Sequence, residues 1–140
     1  MKIEPASEQD GTMLAELRAL AMRESLENIG RFDPVRVRER FLSGFDPDHT
    51  KKIVVEEELI GFYVVTEKQD HFYLDHLYIA PSHQRKSYGS TILKKIIKQA
   101  QAKGKPIRLG ALKESPSNQF YLSHGFRKTR EGEFDNYYEL

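Results

Sequence analysis

The run Gln84-Arg85-Lys86-Ser87-Tyr88-Gly89-Ser90 carries the densest chemistry in the chain. It follows an apolar, aromatic strand pattern, Phe72 to Ile79, closed by Ala80-Pro81. It opens directly into a helical pattern whose apolar residues are Ile92, Leu93, Ile96, Ile97 and Ala100. A strand, a small-residue turn and a helix start gather unpaired backbone N–H groups at the positive end of a helix dipole. That is an anion site suited to a pyrophosphate. Arg85 and Lys86 add two positive charges beside it, and the hydroxyls of Ser87 and Ser90 can add bonds to phosphate.

Asp75 and His76 stand in the middle of the preceding strand, where aspartate is disfavoured without a reason. Alternation sends Tyr73, Asp75, Leu77 and Ile79 to one face and Leu74, His76 and Tyr78 to the other. Only one of the two can therefore face a given ligand, unless a bulge intervenes. Either can equally be a structural side chain bonded to a neighbouring element. Other chemistries are poorly served. His71, His76 and His83 lack metal-ligand spacing, so no metal is expected. Neither G-x-S-x-G nor G-x-x-x-x-G-K-[ST] occurs.

The loop resembles the cofactor loop of the GCN5-related N-acetyltransferases (GNAT), Arg/Gln-x-x-Gly-x-Gly/Ala ahead of a helix. Here it reads Gln84-x-x-Ser87-x-Gly89, with serine in place of the first glycine. Leu77-Tyr78-Ile79-Ala80-Pro81 is similar to the end of that family's fourth strand. The block Ser115-Pro116-Ser117-Asn118-Gln119-Phe120-Tyr121-Leu122-Ser123-His124-Gly125-Phe126 resembles its tyrosine-then-Gly-Phe motif. Two blocks in the right order make the signal specific where the loop alone is weak.

The resemblance implies an enzyme that uses acetyl-CoA as co-substrate and acetylates an amine by direct attack. It assigns cofactor binding to Leu77, Tyr78, Ile79, Gln84, Arg85, Lys86, Ser87, Tyr88, Gly89, Ser90, Ser117 and Tyr121. It makes Tyr121 the proton donor to the departing thiolate and Asp75 or His76 the group that deprotonates the amine. A phenol is protonated at neutral pH and can donate to sulfur. An aromatic packing the underside of a short helix is the plainer reading of Tyr121. The family often carries an asparagine seven residues before the tyrosine; Glu114 stands there, and Ser115 or Asn118 can substitute. The first two helices and the final hairpin would wall the acceptor, through Glu24, Glu27, Asn28, Arg31, Phe32, Asp33, Tyr137 and Tyr138. The acidic members suit a cationic amine, or are simply exposed helix-end charges. A non-catalytic acyl-CoA sensor is the nearest alternative.

At 140 residues the chain is expected to form a single domain with a genuine core. Its 22 basic and 21 acidic residues leave a net charge of +1, which gives no global reason to bind nucleic acid or a membrane surface. Arg36, Arg38 and Arg40 with Lys94, Lys95 and Lys98 could form a basic face, but Glu39 dilutes it. There is no cysteine, which excludes disulfides, thiolate metal ligands and a cysteinyl acyl-enzyme. No apolar run is long enough to span a bilayer, and MKIEPASEQD is too polar for a signal peptide, so the expected location is cytoplasmic. Homodimers are common in the resembled family.

The elements that must position these residues read as follows. Lys2 to Ala6 is a strand, and Ser7 with Asp10 forms a capping box for a helix with Met13, Leu14, Leu17, Leu20 and Ala21 inward. Asp33-Pro34 starts a second helix through Val37, Phe41 and Leu42. Strands are expected at Lys52 to Val55, Leu59 to Thr66 and Phe72 to Ile79, the first two joined at Glu56-Glu57-Glu58. The loop helix runs from about Ser87 to Lys103, closed by Gly104. Then come a strand at Ile107 to Ala111, a short helix from Ser115-Pro116 to His124-Gly125, and a hairpin of Phe126 to Thr129 with Phe134 to Tyr138. The expected class is mixed α+β, a mostly antiparallel sheet of about seven strands flanked by four helices.

Overall fold

A computed structural model describes all 140 residues. In chain order the elements are β1 (Lys2–Pro5), α1 (Gly11–Asn28), α2 (Pro34–Ser43), β2 (Thr50–Val55), β3 (Glu58–Glu67) and β4 (Phe72–Ile79). They continue with α3 (Tyr88–Ala102), β5 (Ile107–Leu112), α4 (Pro116–Ser123), β6 (Arg127–Glu131) and β7 (Asp135–Glu139). The strands pair in the order β1-β2-β3-β4-β5-β7-β6. This is the expected mixed class, with seven strands and four α-helices. β4 and β5 run parallel, and α3 supplies the crossover such a pair requires. The β1–β2, β2–β3, β5–β7 and β6–β7 pairs are antiparallel. No helix is long and apolar enough to cross a membrane.

The chain divides into two compact units, Met1–Val64 with His76–Ile92, and Val65–Asp75 with Leu93–Leu140. In the first, Leu14, Ala15 and Leu17 of α1 pack with Phe41 of α2 and with Phe62 and Val64 of β3. Ser7 and Asp10 form the expected capping box: the Ser7 backbone N–H donates to Asp10 Oδ2 at 2.8 Å, and the Asp10 backbone faces the Ser7 side chain in return. The box closes a single 3₁₀ turn, Glu8–Asp10, so α1 proper starts at Gly11. Met13 and Leu20 are not on its inner face. They are 48% and 58% exposed, because the helix turns the Leu14–Leu17 stripe inward and Met13 and Leu20, seven residues apart, share another side. Leu42 is likewise exposed, whereas Val37 and Phe41 are buried. Asp33 caps α2 by accepting from Arg36 N–H at 3.1 Å. The β2–β3 turn is shorter than expected: only Glu56 and Glu57 lie outside the strands, both left-handed at φ 51° and 65°.

In the second unit Ile107, Leu109 and Ala111 of β5 are buried with Tyr121, Phe126 and Tyr138. The final hairpin is shifted by about one residue from expectation. Phe126 serves the core and precedes β6, and Phe134 is a partly exposed turn residue before β7. The β4–β5 ladder has three registered pairs, Phe72↔Ile107, Tyr73↔Arg108 and Leu74↔Leu109. It ends there although β4 runs on to Ile79 and β5 to Leu112. β5 keeps an antiparallel partner through that stretch, in Ala111↔Asn136 and Leu112↔Asp135 of β7.

Candidate active site

In the first unit the loop after β4 has a specific backbone form. Arg85 and Ser87 both lie in the left-handed region, at φ 64° and 67°. Left-handed residues interleaved with ordinary ones turn successive N–H groups into one concavity, a nest for an anion. α3 begins at once, at Tyr88, and its first turn has no i−4 carbonyl partners. The first bond of the helical ladder comes from Thr91, whose N–H and Oγ1 both donate to the Ser87 carbonyl at 3.0 and 2.9 Å. Arg85, Lys86 and Ser87 are exposed, while Tyr88, Gly89 and Ser90 are half-buried.

Gln84 is tied to the strand that precedes it. Its Nε2 donates to the Ile79 carbonyl at 2.9 Å, clipping the loop back to the end of β4. Ala80 N–H donates to the Ile60 carbonyl at 2.7 Å and fixes the other side of that exit. Leu77, Tyr78 and Ile79 are half-buried and lie beyond the last registered β4–β5 pair. A Cβ at Gly61 of β3 would stand 2.4 Å from the Tyr78 carbonyl oxygen, so the two backbones touch where β4 must be held. A glycine inside a strand is a sign of such close approach, and position 61 carried that sign in the sequence.

His76 is partly committed within the same unit. Its ring lies edge-on to Phe41, centroids 5.4 Å apart, and its Nδ1 is 2.9 Å from the Tyr78 hydroxyl. Arg18 Nε donates to that hydroxyl at 3.2 Å, and its Nη1 donates to the Val37 carbonyl at 2.6 Å. With Arg18 on one lone pair, the phenol oxygen can still either donate to Nδ1 or accept from Nδ1–H through its other lone pair. Arg18 escaped sequence reasoning. The only sequence signal was its place one turn after Leu14 in a helical pattern; the structure half-buries it there.

The second unit holds Asp75, Ser117 and Tyr121. Asp75 is exposed and shares a strand face with Tyr73. Burial, and next the Asp75 carboxylate, push the Tyr73 phenol above its ordinary value. Tyr121 is buried on α4 among Phe120, Phe126 and Tyr138. Ser117 is exposed on the first turn of α4. Glu114 adopts φ 66°, a conformation that asparagine tolerates better than glutamate. Asn118 is no free substitute for the missing asparagine. Its Nδ2 donates to the carbonyls of Leu112 and Ser115, and its Oδ1 accepts from Asn136 and Tyr138.

Of the expected acceptor-wall residues, Glu24, Glu27 and Asn28 are exposed, and Asp33 is used as a helix cap. Arg23 lies over the Phe32 ring at 5.4 Å. Tyr138 is buried. Tyr137 lies against Gly110 and Gly132 under the Arg130 guanidinium at 3.8 Å. No group of three His, Asp or Glu side chains is placed to hold a metal ion.

Comparison with known proteins bears on the family and the fold. The family model described as an acetyltransferase (GNAT) domain matches residues 48–128. No curated protein sequence matches the chain. Among solved structures, the PaiA N-acetyltransferase from Thermoplasma acidophilum, in complex with coenzyme A, superposes with a TM-score of 0.81 at 19% identity. That match covers 99% of this chain and 96% of the other. An acetyltransferase from Thermus thermophilus gives 0.76 at 17% identity over 99% and 95% of the two chains. An N-acetyltransferase from Staphylococcus aureus gives 0.75 at 11% identity over the full length of both. At these identities the likeness is one of fold.

Proposed function

Since the chain belongs to the GNAT acetyltransferase family, we propose that it transfers the acetyl group of acetyl-CoA to a primary amine by direct attack in a ternary complex. The observation that carries this reading is the left-handed turn at Arg85 and Ser87 running straight into α3. The diphosphate of CoA rests on the N–H groups of residues 85 to 90, with the Arg85 and Lys86 charges beside it. The peptide groups of Leu77, Tyr78 and Ile79, past the end of the β4–β5 ladder, bond the pantetheine amides and polarise the acetyl carbonyl. Gln84 supports the loop through one proton of its amide nitrogen and has the other to offer phosphate.

The amine nitrogen attacks the carbonyl carbon, an N–C bond forms and the C–S bond breaks. The proton lost from nitrogen passes to Asp75, directly or through water, and Tyr121 gives its proton to sulfur, leaving CoA as the thiol. Solvent exchange returns a proton from Asp75 to the Tyr121 phenolate, so the enzyme is unchanged overall. Asp75 is preferred to His76 because its carboxylate is exposed, whereas the His76 ring is packed on Phe41 and shares a hydrogen bond with the Tyr78 hydroxyl.

The test is thiol release from acetyl-CoA across a panel of an alkylamine, a diamine, an amino sugar and a lysine peptide, beside calorimetry with CoA. Turnover with one class supports the reading. CoA binding without turnover replaces it with the sensor, and absence of CoA binding ends both.

A further inference from the structure

We propose that Asn118 is the positioning residue for Tyr121, acting through Tyr138 and the first turn of α4. The proposal rests on the general-acid reading of Tyr121 and extends it to a side chain that need not touch either substrate.

The hydrogen bonds settle which way the Asn118 amide points. Its Nδ2 donates to the Leu112 carbonyl at 2.8 Å and the Ser115 carbonyl at 3.0 Å. Carbonyls only accept, so the nitrogen must lie on that side and Oδ1 is fixed as an acceptor on the other. Oδ1 then takes the Tyr138 hydroxyl at 2.7 Å and Asn136 Nδ2 at 3.0 Å. One side chain thereby joins the end of β5, the cap of α4 and two positions on β7.

Tyr121 lies three residues on, on the same side of α4. Its ring packs on Tyr138 with centroids 6.4 Å apart and on Phe126 at 5.6 Å. Both tyrosines are almost fully buried. The phenol that must meet sulfur is thus seated against a ring whose hydroxyl end is tied down by Asn118.

The network also carries a cost. Because Asn136 gives its nitrogen to Asn118, its own Oδ1 faces away, and this buried oxygen has no partner. An orphaned acceptor is unfavourable for stability alone.

The experiment compares Asn118→Ala and Tyr138→Phe with the wild type, each alone and combined with Tyr121→Phe. Steady-state kinetics use acetyl-CoA with the best amine of the panel, and the 13Cζ resonance of Tyr121 is followed in the full chain. Each single variant is expected to lower kcat about tenfold, as a misplaced reacting group does, with KM for acetyl-CoA within about twofold. The kinetic penalty should vanish in the Tyr121→Phe background, and the Tyr121 resonance should shift in both variants. An unmoved resonance, or a penalty that persists without the Tyr121 hydroxyl, overturns the proposal. If Asn118→Ala does not fold, Tyr138→Phe, which deletes one oxygen, decides alone. Full activity of Tyr121→Phe by itself sinks the acid role instead, and the resonance still judges the positioning.

Discussion

Gly61 of β3 and Tyr78 of β4 approach as only a glycine allows: a Cβ at position 61 would stand 2.4 Å from the Tyr78 carbonyl oxygen. The contact is backbone on one side, so no rotamer change relieves it. Gly61→Ala should lower stability by roughly 1–3 kcal/mol through overpacking. It should also push Leu77, Tyr78 and Ile79 out of line, weakening CoA binding more than tenfold in calorimetry. Unchanged affinity in a folded variant would show that this stretch of β4 does not hold the cofactor.

Ser87 sits where the resembled family has glycine, and it keeps a glycine-like φ of 67°. An L-residue there is strained by about 1–2 kcal/mol. Ser87→Gly should raise Tm by about 2–4 °C, with CoA affinity equal to or tighter than that of the wild type. A fall in Tm would mean that the hydroxyl matters more than the strain.

The two-residue turn at Glu56 and Glu57 has both residues left-handed, the form that Asn-Gly satisfies best. Replacing the pair by Glu56→Asn with Glu57→Gly should stabilise the protein by about 1 kcal/mol without altering turnover. Chemical denaturation measures it, and a lower midpoint refutes the strain.

Tyr121→Phe removes the proposed acid while keeping the ring that fills the core. Turnover should fall about a hundredfold, the scale of a lost general acid, with CoA affinity unchanged. Wild-type turnover would return Tyr121 to a packing role.

Asp10 accepts from the Ser7 backbone N–H and pairs with Lys52 at 3.1 Å; the Ser7 bond first, and the lysine next, hold its carboxyl below the ordinary value. A depressed folded value means that its stabilisation is complete above the unfolded value, near pH ~4. It is lost as pH falls through the folded one. The Tm gap between wild type and Asp10→Ala should therefore be wide at neutral pH and close on acidification. A gap that persists at pH ~2 would point to packing and not charge.

Legibility varied from residue to residue for physical reasons. The 84 to 90 loop was readable because helix starts, small residues and charges act locally. Asp33 and the Ser7–Asp10 box were readable for the same reason. Met13 and Leu20 misled because periodicity finds apolar residues but cannot say which of two possible stripes meets the core. Asn118 could only be guessed at, since four of its partners, Leu112, Ser115, Asn136 and Tyr138, include two more than 15 residues away.

The amino-acid order by itself determined the element sequence, the turn that opens α3 and the family motifs, because each depends on neighbours within a few positions. Tertiary structure alone decided that Arg18 orients Tyr78 and His76, that Gln84 clips β4 to its loop, and that Gly61 lets β3 meet β4. These are contacts between chain segments distant in sequence or set by how a loop folds back, and no spacing rule encodes them. The physical reason is that a hydrogen bond or a steric limit depends on separation in space, which packing of the whole chain sets.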